Sequence, residues 1–248
     1  MKSILNYFNF IEPTGSTQSE EDVKALYTHW RIRILYSMFF GYAFYYISRR
    51  SFALAIPALI EDMGFTKPEL GLIGSVFAVM YAISKFTSGV LSDRSSPRYF
   101  MSIGLFLTGV VNICFGFSSS LYMFAVFWGL NGWFQGFGAP PCVRLLTQWY
   151  SHSERGTCWS TWSVSHNVGA FCVAWIAGLC LQYAGWRYAL YIPGALCIGA
   201  SFFLFNRLRD TPRAVGLPSI ESYRNDYDRG MVNDQEEKSA MKIFVEYI

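Results

Sequence analysis

Of the 248 residues, 15% are charged and 52% apolar, and the formal net charge is +3. An average soluble domain is about 25% charged, so a water-facing surface for the whole chain is hard to assemble, and so small a positive charge does not point to nucleic acid. Six cysteines (Cys114, Cys142, Cys158, Cys172, Cys180 and Cys197) lie in or beside apolar stretches with no C-x-x-C or Cys/His pairing, so neither a zinc site nor a disulfide framework is indicated.

Residues 1–31 are polar and lack the apolar core of a cleavable signal peptide. They read as a cytoplasmic arm ending in a short interfacial helix that carries Val23, Leu26, Tyr27 and Trp30. Six apolar stretches follow, at about 32–60, 70–91, 99–117, 122–145, 157–183 and 188–208, each long enough to cross a bilayer. Short cytoplasmic loops gather Lys and Arg, and here Lys24, Arg31, Arg33, Arg94, Arg98, Arg144, Arg155, Arg207, Arg209 and Arg213 fall on one side, against Lys67 and Arg187 on the other. Both termini are therefore expected in the cytoplasm. Residues 209–248 read as a cytoplasmic linker, and its closing KIFVEYI as the start of a truncated second half.

Inside these spans stand residues that lipid does not tolerate idly. Arg49 and Arg50 interrupt the first stretch, and a guanidinium near the middle of a membrane costs at least roughly 2.5–3.5 kcal/mol unless it faces water or an anion. Helical steps back from Arg49 reach Tyr46, Tyr45 and Tyr42, so one face carries a guanidinium fork beneath phenol hydroxyls. Lys85 in the second stretch adds a third buried cation, and the spans hold few carboxylates to pair with them. This pattern calls for an anionic ligand. His166, beside Asn167 in the fifth stretch, is either a group whose protonation couples to that ligand or a packing histidine. In the fourth stretch, Gly129, Gly132, Gly136 and Gly138 allow close helix approach, Pro140 and Pro141 force a kink or break, and Gln135 serves either as interhelical glue or as a ligand contact.

Gly89, Leu91, Asp93, Arg94 and Arg98, in GVLSDRSSPR, resemble the signature loop of the major facilitator superfamily, with Ser96 in place of its usual glycine. The runs GYAFYYISRRSFALAIP, YAISKFTSGVLSDRSSPRYF, GWFQGFGAPPC, ERGTCWSTWSVSHNVG and RDTPRAVGLPSIESY narrow the resemblance to its organophosphate:phosphate antiporters. That resemblance implies an all-α integral membrane protein, here a six-helix bundle corresponding to the amino-terminal half of a transporter in the inner cell membrane. It implies no enzyme and no cofactor, but exchange of a sugar phosphate for inorganic phosphate by rocking against a carboxy-terminal six-helix half absent from this sequence. It also implies a substrate site of Arg49, Arg50, Tyr42, Tyr46, Lys85, Gln135 and His166, with Gly89, Asp93, Arg94 and Arg98 as a conformational latch. Ser163 and Ala139 depart from the family pattern, while RLLTQWYSHSERG and VNICFGFSSSLY are nearer its hexose-phosphate branch, so glucose-6-phosphate is the expected substrate. The alternatives are a membrane sensor of hexose phosphate and a non-functional fragment of a disrupted transporter gene.

Overall fold

The computed structural model describes residues 20–225, and the first nineteen residues and the closing KIFVEYI lie outside that range. Its helices are α1 (Glu20–Met63), α2 (Lys67–Asp93), α3 (Pro97–Gly116), α4 (Leu121–Gln135), α5 (Ala139–Trp149), α6 (Arg155–Tyr183) and α7 (Tyr188–Arg207). A 3-10 turn (Pro212–Val215) and the short α8 (Ile220–Arg224) follow. Local chemistry sets several boundaries. Thr66 opens α2 with a capping box in which its main-chain N–H donates to Glu69 Oε2 at 2.8 Å, and Gly64 just before it takes a left-handed φ of +68°. Pro97 occupies the first position of α3, where a missing N–H costs nothing.

α1 packs on α6 and α7, α2 on α4, and α3 on α7 and α4. Among the described residues, helices α2, α3, α6 and α7 are the four that are long and apolar enough to cross a membrane. The other two apolar stretches differ for physical reasons. Stretch 32–60 is diluted by Arg49, Arg50 and tyrosines within a helix of 44 residues. Stretch 122–145 is not one helix but two, because Pro140 and Pro141 cannot donate main-chain bonds and fit only the first turn of a new helix, α5. At this break Phe137 N donates to Phe134 O at 3.1 Å in a tightened turn. Ser84 and Ser88 of α2 supply further partners, Ser84 to the Trp133 carbonyl and Ser88 to the Gly136 carbonyl at 2.8 Å. Polar groups freed by the break are thus taken up by a neighbouring helix, as a lipid environment demands.

The expected interfacial helix is instead the first part of α1. Its Tyr27 is buried, stacks on Tyr223 at 4.1 Å and donates to the Pro218 carbonyl. Leu217 and Ile220 join it in one apolar cluster with Trp149, Leu146 and Leu208. Glu154, at the start of α6, clasps both partners, pairing with Arg31 of α1 at 2.6 Å and with Arg224 of α8 at 2.5 Å. Segment 209–225 is therefore strapped to the bundle. A second apolar cluster, built on Phe52, Phe115, Phe124 and Trp128, fills the opposite end. Between the two clusters lies the polar turn of α1.

Candidate anion-binding site

The seam between α1 and α6 is held close by glycine. A Cβ on Gly169 would stand 2.8 Å from Tyr46 Cβ and 3.1 Å from the Ala43 carbonyl carbon, so no larger residue permits this approach. Closeness brings His166 between two tyrosines of α1, with ring centroids 4.8 Å from Tyr42 and 4.7 Å from Tyr46. Trp162, one turn earlier on α6, closes the box at 4.7 Å from Tyr42 and 5.3 Å from His166. His166 Nδ1 lies 2.5 Å from the Ser163 carbonyl, which can only accept, so Nδ1 carries the proton of that bond. Nε2 is then the nitrogen left for a ligand. It accepts when the ring is neutral and donates only when the ring is protonated.

One turn along α1 from Tyr46, Arg49 reaches across to α2. Its guanidinium carbon stands 4.2 Å from the Tyr81 ring centroid, 5.5 Å from Phe77 and 5.6 Å from Tyr46. Lys85 Nζ shares the same Tyr81 ring at 5.8 Å. Aromatic faces hold both cations without neutralising them. Among the described residues no carboxylate lies within ion-pair distance of Arg49, Arg50 or Lys85; Arg49 is half-buried, while Arg50 and Lys85 are exposed. Tyr42, Tyr46, Arg49, Lys85 and His166 are thus linked through shared rings across α1, α2 and α6, whereas Arg50 enters none of these ring contacts.

Gln135 sits behind this surface. It is buried, and its amide donates to the Tyr45 carbonyl at 3.1 Å, so its visible bond ties α4 to α1. One turn up, a relay of buried amides continues the tie: Asn131 donates to Asn112 Oδ1 at 3.4 Å and to Ser48 Oγ at 3.5 Å, and Asn112 donates to the Leu190 carbonyl at 2.8 Å. Four helices meet at the level of Arg49. Among the described residues no cluster of three His, Cys, Asp or Glu could hold a metal.

Of the four latch residues, Arg98 is the one that the described contacts tie to a distant segment. Its main-chain N–H donates to Asp210 at 2.9 Å, and its side chain donates to the Phe205 carbonyl at 2.6 Å. Asp93 and Arg94 are exposed, and a Cβ on Gly89 would meet open space. The residue that pins the signature loop is Arg144 of α5, donating at 2.5 Å to the carbonyls of both Ser92 and Ser95. Sequence reasoning counted Arg144 only as a loop charge and did not single out Tyr81, Trp162, Asn112, Asn131 or Glu154. The signal available for Tyr81 was its helical spacing of four from Lys85.

A family model described as the Major Facilitator Superfamily matches residues 38–242. The chain belongs to the major facilitator superfamily. It is 59% identical over 220 residues to a probable hexose phosphate transport protein of Chlamydia pneumoniae, covering 88% of this chain and 48% of that protein. It is 46% identical over 207 residues to the membrane sensor protein UhpC of Salmonella typhimurium, covering 84% of this chain and 47% of the sensor. It is also 40% identical over 248 residues to the glycerol-3-phosphate transporter of Bacillus subtilis, covering 97% of this chain and 56% of the transporter. The chain thus spans about half the length of the curated relatives it matches, and they are those of the organophosphate branch its motifs resemble. Its fold is shared with a bacterial homologue of the human lysosomal transporter Spinster in an inward-facing, occupied conformation. That likeness has a TM-score of 0.67 at 20% identity and covers 74% of this chain and 45% of that one.

Proposed function

We propose that this chain is the first six-crossing bundle of an antiporter that exchanges glucose-6-phosphate for inorganic phosphate across the inner membrane, with both described ends of the bundle cytoplasmic. The observation that carries the reading is the Arg49–Tyr81–Lys85 contact, two cations held on one aromatic ring with no carboxylate partner among the described residues. A planar guanidinium suits two phosphate oxygens, the ammonium adds a second charge, and His166 Nε2 faces the ligand as donor once the ring is protonated. Tyr42, Tyr46 and Trp162 offer rings and hydroxyls to the sugar. Gln135 holds the α1 turn from which these groups project. Rocking against a second bundle, with Gly89, Asp93, Arg94 and Arg98 latching helix ends in one state, supplies alternating access.

The likeness to a membrane sensor supports a second reading, in which the same site binds hexose phosphate and signals without carrying it. Vesicles loaded with phosphate and containing residues 1–248 test the division of labour. Labelled glucose-6-phosphate should bind without saturable, phosphate-dependent uptake, because one bundle offers one wall of the site. Uptake by this chain alone would overturn the half-site reading. For the full-length protein, flux separates carrier from sensor.

A further inference from the structure

The end of α7 is ringed by arginines in a number that helix capping does not require. Arg98 donates to the Phe205 carbonyl at 2.6 Å, Arg33 to those of Asn206 and Arg207 at 3.2 Å each, and Arg209 to those of Asn206 at 3.0 Å and Leu208 at 2.7 Å. Arg207 itself stands on the last turn, 6.0 Å from the Phe203 ring. A helix carboxy-terminus carries about half a negative charge. The carboxylate that the described contacts bring to this cluster is Asp210, which accepts from the Arg98 main-chain N–H. Leaving Arg209 out of the count, three guanidiniums face one carboxylate and half a dipole charge, an excess of about +1.5. This excess sits at one level of the bundle.

Each guanidinium also rests on an aromatic ring, Arg33 on Trp30 at 4.7 Å and Arg98 on Phe205 at 4.5 Å. Below Arg33 and Arg207, along the seam between α1 and α7, apolar side chains line the surface: Phe203, under Arg207, packs on Tyr36 at 6.3 Å, and Phe40, one turn further along α1, is 48% exposed. Positive charge at one height over an outward apolar strip matches the two ends of one molecule. We propose that an anionic phospholipid docks here, its headgroup phosphate between Arg33 and Arg207 and its acyl chains along Phe203, Tyr36 and Phe40. The proposal rests on the membrane-spanning reading above and uses none of the residues of the sugar-phosphate site.

Arg207 is the residue to change, because its guanidinium enters none of the described hydrogen bonds that cap α7. Residues 1–248, purified in neutral detergent, would be melted with added phosphatidylglycerol, phosphatidylcholine or inorganic phosphate. Phosphatidylglycerol should raise the melting temperature and phosphatidylcholine should not, while any rise with inorganic phosphate, through the Arg49 site, should be the same in wild type and Arg207→Gln. Arg207→Gln should raise the half-maximal phosphatidylglycerol concentration about fivefold, and Arg207→Lys should restore most of the loss. Lipid co-purifying with each variant, identified by mass spectrometry, provides a readout independent of melting. An equal effect of phosphatidylcholine, a phosphate response that falls in Arg207→Gln as the phosphatidylglycerol response does, or an unchanged titration and lipid content in Arg207→Gln would overturn the site. Chain missing from the membrane fraction would sink the spanning reading and this proposal together.

Discussion

Gly169→Ala tests whether the α1–α6 seam builds the site. One added methyl would stand 2.8 Å from Tyr46 Cβ and 3.1 Å from the Ala43 carbonyl carbon, with the Ala43 carbonyl oxygen nearer still. Carbon atoms in contact prefer about 3.5–4.0 Å, and the opposing atoms are main chain and Cβ, which no rotamer change can move. The helices must part by roughly 1 Å. Overpacking of this kind costs about 1–3 kcal/mol, which for a chain of this size lowers the melting temperature by about 2–4 °C per kcal/mol. Separation also pulls His166 from Tyr46, whose ring centroids now lie 4.7 Å apart. Gly178→Ala on the same helix is the matched control, since a Cβ there meets nothing within 4 Å. It should leave stability unchanged or raise it by up to about 1 kcal/mol through helix propensity. Thermal melting of both variants in one detergent decides the point. If Gly169→Ala melted with wild type, the close approach would not be what holds α1 and α6 together.

Glu154→Gln should release the strap, seen as faster trypsin cleavage after Arg213 and Arg224 with the bundle intact. Partial burial raises the Glu154 carboxyl, but the hydrogen bond and charge of Arg31 outweigh it and hold the group below the usual carboxylate range. The clasp is therefore fully present above the ordinary carboxylate pKa and is lost as pH falls through the lowered one, so amide exchange in residues 217–225 of wild type should approach that of Glu154→Gln only in acid. Asn112→Leu removes the donor to the Leu190 carbonyl and the acceptor for Asn131, and should cost about 1 kcal/mol in denaturation assays, with a value near zero excluding the relay as a structural tie.

What the sequence made legible were residues in conflict with their surroundings. Arg49 and Lys85 stand out because lipid penalises charge wherever the partner lies, and the proline pair announces the division of α4 from α5 by what it cannot donate. Tyr81, Trp162 and Arg144 are ordinary residue types at ordinary positions. Their roles come from contacts between distant helices, such as Arg144 on α5 capping the end of α2, for which no local pattern exists. The clasp at Glu154 was hidden for the same reason: its partners Arg31 and Arg224 lie 123 and 70 residues away. The amphipathic lead-in was visible, but an apolar stripe of about two turns suits a membrane surface or a protein partner equally, and only Tyr223, Leu217 and Ile220 decide between them.

The most direct test of the account is equilibrium binding of glucose-6-phosphate, glucose and inorganic phosphate to purified residues 1–248, with wild type beside Arg49→Lys. A charge-assisted bond contributes about 1.5–3 kcal/mol, so losing the guanidinium fork should weaken both phosphate ligands by about ten- to a hundredfold, while glucose binds neither form measurably. Equal affinities of wild type and Arg49→Lys for glucose-6-phosphate would contradict the central claim that Arg49 holds the phosphate.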